Sequence, residues 1–380
     1  MTEQFAKSGE RYISWLQNEA LPFWASQPLD PRGGFVEALS HRGEPCRDMA
    51  KRLRGQARVA FSFARAEALG LVASGKEASD HAFSFMLDHA ALHDEAWVGG
   101  FAHVLTPDGA QKDPSIDTFD VACVLLAAGE RAKVYRDESS MVVAQESLAL
   151  LQRLKAPHGG FYEGHPAKQP RRQNTHMHVL EAYLNLRGHK ALHQPTAEIE
   201  ALISLFTDHF LDPAHMIVRE FFTDDWTIDP DDGGIIEPGH MAEWARLLMD
   251  EGSLTGAEFM ARTLLDEAIK RGAGEHTPLL CNSVDLPTGA QSKGCRLWVQ
   301  TALARAHLLF READPSRLDQ SAAVIDRMFD HYLGTPPKAP GGWFDEIDRT
   351  GKAISTVMSC SSLYHLIVLA DEVTQVLAEI

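Results

Sequence analysis

The chain has 380 residues, of which 44% are hydrophobic and 23% charged, an ordinary globular balance in a chain long enough to bury a large core. Its formal net charge of −17 and pI near 5.5 speak against nucleic acid or an anionic membrane as partner, because either needs a clustered basic surface to meet phosphates. A small neutral molecule fits this surface better.

The first residues, Met1 to Ala6, carry Glu3 and lack a basic stretch running into an apolar core. This is not a signal-peptide pattern, and no apolar run is long enough to span a bilayer, so a cytoplasmic location is expected. Phe5 to Ala25 then shows the i, i+3, i+4 apolar stripe of a half-exposed helix. It leads through Gly33-Gly34-Phe35 to Met49–Leu69, which is richer in small and apolar residues, as a buried helix requires. The order then repeats. Lys76 to His93, Gly99-Gly100-Phe101 and Ile116 to Arg131 form a second unit, and Ser140 to Lys155, Gly159-Gly160-Phe161 and Asn174 to Leu186 a third. Thr196 to Phe210, Gly233-Gly234-Ile235 and Gly239 to Asp250 form the fourth, with a hairpin predicted within Met216 to Trp226. In the fifth, Thr255 to Arg271 precedes a degenerate turn near Val284 to Gly289 and then Lys293 to Phe310. Pro315 to Tyr332, Gly341-Gly342-Trp343 and Val357 to Val373 complete the sixth. The glycine pairs read as tight turns with positive φ rather than phosphate cradles, because no P-loop lysine and hydroxyl follow them.

Twelve helices alternating between exposed and buried predict two concentric layers, an all-α (α/α)6 barrel of six inner and six outer helices. The nearest approach to a linker, Thr335 to Gly342, sits inside a repeat, so one catalytic domain is expected over residues 1–380. Cys46, Cys123, Cys281, Cys295 and Cys360 are odd in number and contain no CxxC pair, which fits neither a disulfide framework nor a zinc knuckle. They read as mostly core thiols.

Polar side chains stand on the buried helices where a purely structural ring needs none: Gln56 and Arg58; His176 and His178; His240 and Glu243; Trp298 and Gln300; His365. Unpartnered burial of such groups costs on the order of 2 to 7 kcal/mol each. A single histidine of this kind is usually a satisfied core residue, but three inner helices each offering one point to a shared concave mouth. Glu243, three residues after His240, is positioned to orient that imidazole. His176 and His178 point in different directions on one helix, and His178 is preferred for the mouth. A metal held by His178, His240 and His365 is conceivable. No HExxH helix supports it, and neither metal nor cofactor is expected.

Gln56-Ala-Arg58, Asn174-Thr-His-Met-His178-Val-Leu-Glu-Ala, Glu237-Pro-Gly-His240-Met-Ala-Glu243-Trp, Leu297-Trp298-Val-Gln300-Thr, Gly341-Gly-Trp-Phe-Asp-Glu-Ile-Asp348 and Ser362-Leu-Tyr-His365 together resemble the N-acylglucosamine 2-epimerase superfamily, and its mannose isomerase branch in particular. The resemblance implies an (α/α)6 barrel in which His240 and His365 act as acid and base on an opened sugar. It places Arg58 and His178 at the substrate; Glu243, Trp298, His176 and Gln300, polar or aromatic residues of the same buried stretches, are the further candidates for substrate binding. Three positions depart from the family pattern: Phe119 stands where a tyrosine is usual, Cys123 where an aromatic is usual, and Ala302 where an acid often follows.

The expected reaction is aldose–ketose isomerisation of D-mannose or a close aldose to D-fructose through a cis-enediolate, for which histidine, with an unperturbed pKa of about 6.5, is a suitable acid and base. The rivals are a sugar 2-epimerase, a glycoside hydrolase drawing on Asp117, Asp120 or Glu243, and a non-catalytic sugar-binding scaffold. The partner expected is a monosaccharide, with the assembly left open between monomer and homodimer.

Overall fold

The second buried stretch shows why an inner layer forms: in the helix Thr118–Val134 every residue from Thr118 to Ala132 is buried. Such a helix is covered on all sides. The computed structural model describes residues 2–274, 277–333 and 339–380; the part of the linker candidate at 335–338 lies outside the described residues. In chain order the helices are α1 (Thr2–Trp15), α2 (Leu21–Ser26), α3 (Leu53–Ala68), α4 (Lys76–Phe85), α5 (Thr118–Val134), α6 (Glu138–Arg153), α7 (Gln173–Asn185), α8 (Thr196–Leu205), α9 (Pro238–Glu251), α10 (Ala257–Gly272), α11 (Leu297–Leu309), α12 (Ser316–His331) and α13 (Leu363–Glu379). A π turn at Leu16–Ala20 joins α1 and α2 into one rod.

Helices α3, α5, α7, α9, α11 and α13 each pack on the next, and α13 returns to α3. Outside them α4, α6, α8, α10 and α12 cover α3, α5, α7, α9 and α11 in turn, while α1 covers α13. This is the (α/α)6 barrel. The seam between first and last units is made by Tyr12, whose hydroxyl donates to the Leu366 carbonyl at 2.8 Å, and by Trp24 and Trp343, stacked with centroids 4.4 Å apart.

Each buried stretch begins not as helix but as a short strand, because it pairs with backbone just after the turn of the next unit. Lys51–Arg52 pairs with Val104–Leu105, Ile116–Asp117 with Gly164–His165, and Arg171–Arg172 with Phe221–Phe222. Ile235–Ile236 pairs with Val284–Asp285, Gly294–Arg296 with Glu346–Asp348, and Val357–Ser359 with Ala38–Ser40, which closes the circle.

These pairings correct the reading of the repeat. Phe35, Phe101, Phe161 and Trp343 bridge back to the end of the preceding outer rod, and the same place in units four and five is filled by Val218, paired with Leu211, and Leu280, paired with Ala273. Gly233-Gly234 and Val284 to Gly289 therefore lie beyond the turns they were matched to. Within Met216 to Trp226, Ile217–Val218 pairs backwards with Leu211–Asp212 while Phe221–Phe222 pairs with Arg171–Arg172, so the two segments do not form one hairpin together. The glycines serve close approach as well as φ. At Gly34 (φ +67°) and Gly160 (φ +61°) a Cβ would lie 2.8 Å from Gln56 Oε1 and 2.5 Å from His176 Nε2.

Two residues beyond each turn position stands a bridging residue: Glu37, His103, Glu163, Glu220, Asn282 or Asp345. The carbonyls of Glu37, His103, Glu163, Glu220 and Asp345 accept the N–H of Cys360, Leu53, Thr118, Gln173 and Leu297, groups that the start of a helix leaves without an internal partner. Their side chains turn instead to the following inner helix. Glu37, Glu163, Glu220 and Asn282 accept from the backbone N–H of Arg52, Arg172, Glu237 and Arg296. All six helix starts are thereby gathered at one end of the barrel, around a mouth.

Candidate active site

His240 sits in the first turn of α9, after Pro238 at the first helical position. Gly239 is required by its neighbour: a Cβ there would lie 2.7 Å from the Trp298 ring. The indole therefore lies against both mouth histidines, with centroids 5.2 Å from His240 and 5.7 Å from His365. His240 Nδ1 is 2.9 Å from Glu220 Oε2 and 3.6 Å from Glu237 Oε2. Burial alone would favour the neutral ring, but the Glu220 and Glu237 carboxylates outweigh it and push the His240 pKa up to about 10. His240 is an imidazolium at neutral pH.

His365, in the first turn of α13, is pushed the other way. Burial holds its pKa well below the usual imidazole value, and the positive charges of Arg58, His178, Arg305 and His240 add to the effect. Its nearest carboxylate oxygen, Glu243 Oε1, is 4.0 Å from Nδ1. Two histidines whose environments drive their pKa values apart are an arrangement suited to acid–base chemistry.

Arg58 stands on the neighbouring helix α3, with its guanidinium over the Phe119 and Tyr364 rings at 5.2 and 4.7 Å. Among the described residues its guanidinium makes no hydrogen bond or ion pair, although the residue is only 9% exposed. A buried, unmatched guanidinium is costly and suits a ligand oxygen that gains negative charge. His178 stacks on Phe119 at 4.6 Å and its Nδ1 is 2.9 Å from Glu181 Oε2; Glu181 in turn accepts from the Tyr364 hydroxyl. Asn174, in the first turn of α7, holds a buried Oδ1 without a partner. Beside Arg58 and His365 a cavity of about 270 Å³ opens among Trp298, Asp345 and Ser361. Burial, against hydrogen bonds from Ser362 and Ser359, raises the Asp345 pKa to about 6.

The structure thus brings His240, His365, Arg58, His178, Trp298 and Glu243 together at the inner-helix starts. Two predicted substrate residues are elsewhere. His176 is fully buried, accepting from Phe161 N at 2.9 Å and donating to Arg172 O at 2.8 Å, and burial lowers its pKa to about 3. Gln300 is fully buried too, accepting from Leu280 N and donating to Leu280 O, each at 2.9 Å. With Gln56 on Phe35, they are staples from alternate inner helices onto the turns. Glu243 is also reassigned: the carboxylates on His240 belong to Glu220 and Glu237, and Glu243 faces His365. Glu220 lies twenty residues upstream in the chain and was not singled out from the sequence. The signal that finds it is the corrected repeat, which aligns it with Glu37, Glu163 and Asp345.

Among the described residues two groups bring three potential ligand atoms within 4.8 Å of one another: Glu220, Glu237 and His240, and His103, Asp117 and Asp120. The set His178, His240 and His365 is not one of them. In the first, the imidazolium itself stands as the cation between two carboxylates; in the second, Arg54 reaches Asp120 at 3.3 Å. The five cysteines are free, and burial pushes the Cys123 thiol up to about 12, far from a nucleophilic state. Asp117 caps α5 by accepting from Asp120 N and Asp120 is held by His103 and Arg54, so of the three carboxylates considered for glycoside hydrolysis two are already engaged and Glu243 alone faces His365.

The chain is 29% identical over 368 residues to a mannose-6-phosphate isomerase of Rhizobium meliloti (strain 1021), covering 93% of each protein. In three dimensions it is similar to a cellobiose 2-epimerase from Bacillus thermoamylovorans B4167, with a TM-score of 0.86 at 18% identity, covering 97% of this chain and 98% of the other. It is also similar to a D-mannose isomerase, with a TM-score of 0.83 at 21% identity and 97% of each chain covered. The N-acylglucosamine 2-epimerase (GlcNAc 2-epimerase) family profile matches residues 33–369. With its mouth of paired histidines, the chain belongs to this family of sugar epimerases and isomerases.

Proposed function

We propose that the protein interconverts D-mannose, or a close aldose, and D-fructose by proton transfer between histidines and an opened sugar. The observation that carries this reading is the opposed environment of His240 and His365 on either side of Trp298, with the unmatched guanidinium of Arg58 beside them. His365, neutral, removes the C2 proton next to the aldehyde; the electrons move onto O1, and the resulting cis-enediolate lies against Arg58. Imidazolium His240, held by Glu220, donates to the sugar oxygens during ring opening and the shift of a proton between O2 and O1. His365 then returns its proton to C1, leaving the ketone at C2. His178 and Asn174 hold hydroxyls. Atoms balance with no co-reactant.

Similarity to the mannose-6-phosphate isomerase and the D-mannose isomerase supports isomerisation. A second reading, 2-epimerisation, is favoured by the same two histidines if they reach opposite faces of C2, since His240 then reprotonates carbon. Incubating the protein with free and phosphorylated aldoses in deuterated water, with products identified by NMR, separates the two. A ketose carrying deuterium at C1 is expected; an aldose inverted and deuterated at C2, with no ketose, overturns isomerisation. Turnover that survives exhaustive chelation is expected as well, and loss restored by a divalent metal overturns the histidine mechanism.

A further inference from the structure

The barrel's internal repeat sets a counterpart of the His240–Glu220 pair at the mouth. In unit four the bridging residue Glu220, the residue before the helix, Glu237, and the third helical residue, His240, converge; in unit two the same three places hold His103, Asp117 and Asp120. The chemistry is exchanged between positions: acid–His in one unit, His–acid in the other. His103 Nδ1 is 2.7 Å from Asp120 Oδ2, the Asp120 side chain is buried, and His103 keeps 17% of its side chain exposed. Its Nε2 makes no hydrogen bond among the described residues. Arg54 joins Asp120 from α3 and spreads over the Phe119 ring at 5.3 Å. Resting on the isomerase reading, ring order says which part of a sugar this pair meets. His240, Trp298 and His365 belong to α9, α11 and α13, which hold the reacting carbons, and α5 stands across the ring from α11. The far end of the sugar chain points to α5.

We propose that His103, fixed by Asp120 and flanked by Arg54, is a specificity residue that hydrogen-bonds the terminal hydroxyl of an unphosphorylated aldose. A hydroxyl both donates and accepts, so Nε2 can serve it in either protonation state. The charges acting on His103 include Asp120, Asp117 and Arg54, with Asp113 also interacting with it; these carboxylates offset Arg54 and a protonated His103, so the pair itself offers no surplus positive charge for a phosphate.

The test uses the full chain with D-mannose, with D-lyxose, which lacks the terminal hydroxymethyl group, and with D-mannose 6-phosphate. His103→Asn is the main variant, because Asn282 fills the same place in unit five; His103→Gln is the second, and circular dichroism checks both folds. Wild type should prefer D-mannose over D-lyxose, and His103→Asn should shrink that preference about tenfold, the range of one hydrogen bond to a polar group, with the loss falling on KM rather than kcat. An unchanged mannose-to-lyxose ratio in both variants overturns the contact. A loss confined to kcat overturns it in favour of a proton-transfer role, and wild-type preference for the 6-phosphate that the variants abolish overturns the neutral terminus. If the wild type turns over none of these aldoses, the isomerase reading itself fails, a result separate from any of the others.

Discussion

His240 and His365 carry the same side chain and differ only in company, and that difference sets the expected pH dependence. The base must be unprotonated, so activity is lost as pH falls through the lowered pKa of His365, well below 6.5. The acid must be protonated, so activity is lost as pH rises through about 10. A kcat/KM profile should therefore be flat across neutrality, and Glu220→Gln should bring its alkaline limb to lower pH by removing the hydrogen-bonded charge. An unmoved alkaline limb in that variant refutes the acid assignment. His365→Asn should cut turnover by about 10² to 10⁴ and abolish exchange of the C2 proton with solvent deuterium, as removal of a general base does. If exchange persists at the wild-type rate, His178 or His240 becomes the carbon base. Glu243→Gln should be milder than His240→Ala, since it touches the site through His365 at 4.0 Å. The location of these residues was partly legible: the three histidines and Arg58 stand out because polar residues on buried stretches demand a reason. Glu220 did not, because its contact with His240 depends on how two loops of one unit meet.

At the scale of elements, the turn and the helix it serves are one device. Gln56, His176 and Gln300 each reach from the first turn of an inner helix to a turn residue, and at Gly34 and Gly160 the chain leaves room for that reach. From sequence, Gln300 and His176 are indistinguishable from mouth residues, since both are polar groups on buried helices; two positions along the helix, about half a turn of rotation, separate them from Trp298 and His178. The expected consequence is a separation of effects. Gln300→Ala leaves Leu280 N and O without side-chain partners in the core, a cost of about 1 to 3 kcal/mol for each unsatisfied group, and should lower Tm while leaving the KM of the folded protein near wild type. A raised KM with unchanged Tm places Gln300 at the substrate after all. The alternation of exposed and buried helices was fully legible, because a stripe of apolar residues every three or four positions and an all-apolar stretch have different periodic signatures. The strand starts of the inner helices were not, being two or three residues long and held by partners about fifty residues away.

The whole molecule is a ring in which the last unit pairs with the first. Tyr12, Trp24 and the Ala38–Ser40 strand meet Leu366, Trp343 and Val357–Ser359. No inner helix lacks a neighbour on either side, so we propose that the barrel unfolds as one cooperative unit. Tryptophan fluorescence and far-ultraviolet circular dichroism should report coincident denaturant transitions, and Trp343→Ala, by opening the seam, should shift both together. A stably folded half released by limited proteolysis contradicts this. A cavity of about 400 Å³ inside the ring, lined by paired charges such as Arg65 with Asp371 and Arg246 with Glu372, also reaches the mouth residues His178 and Glu243. No described helix is long and apolar enough to cross a membrane.

By itself the sequence determined the layers, the six units and the identity of the histidines and arginine at the mouth, because periodicity and the cost of burying polar groups are local properties that need no partner to be read. Only the tertiary structure decided which turn belongs to which unit, that Glu220 rather than Glu243 holds His240, and that His176 and Gln300 are staples. Each of those depends on the closing of the ring: strand pairing between neighbouring units fixes the rotation of every inner helix, and rotation decides whether a polar side chain meets a ligand or a backbone amide.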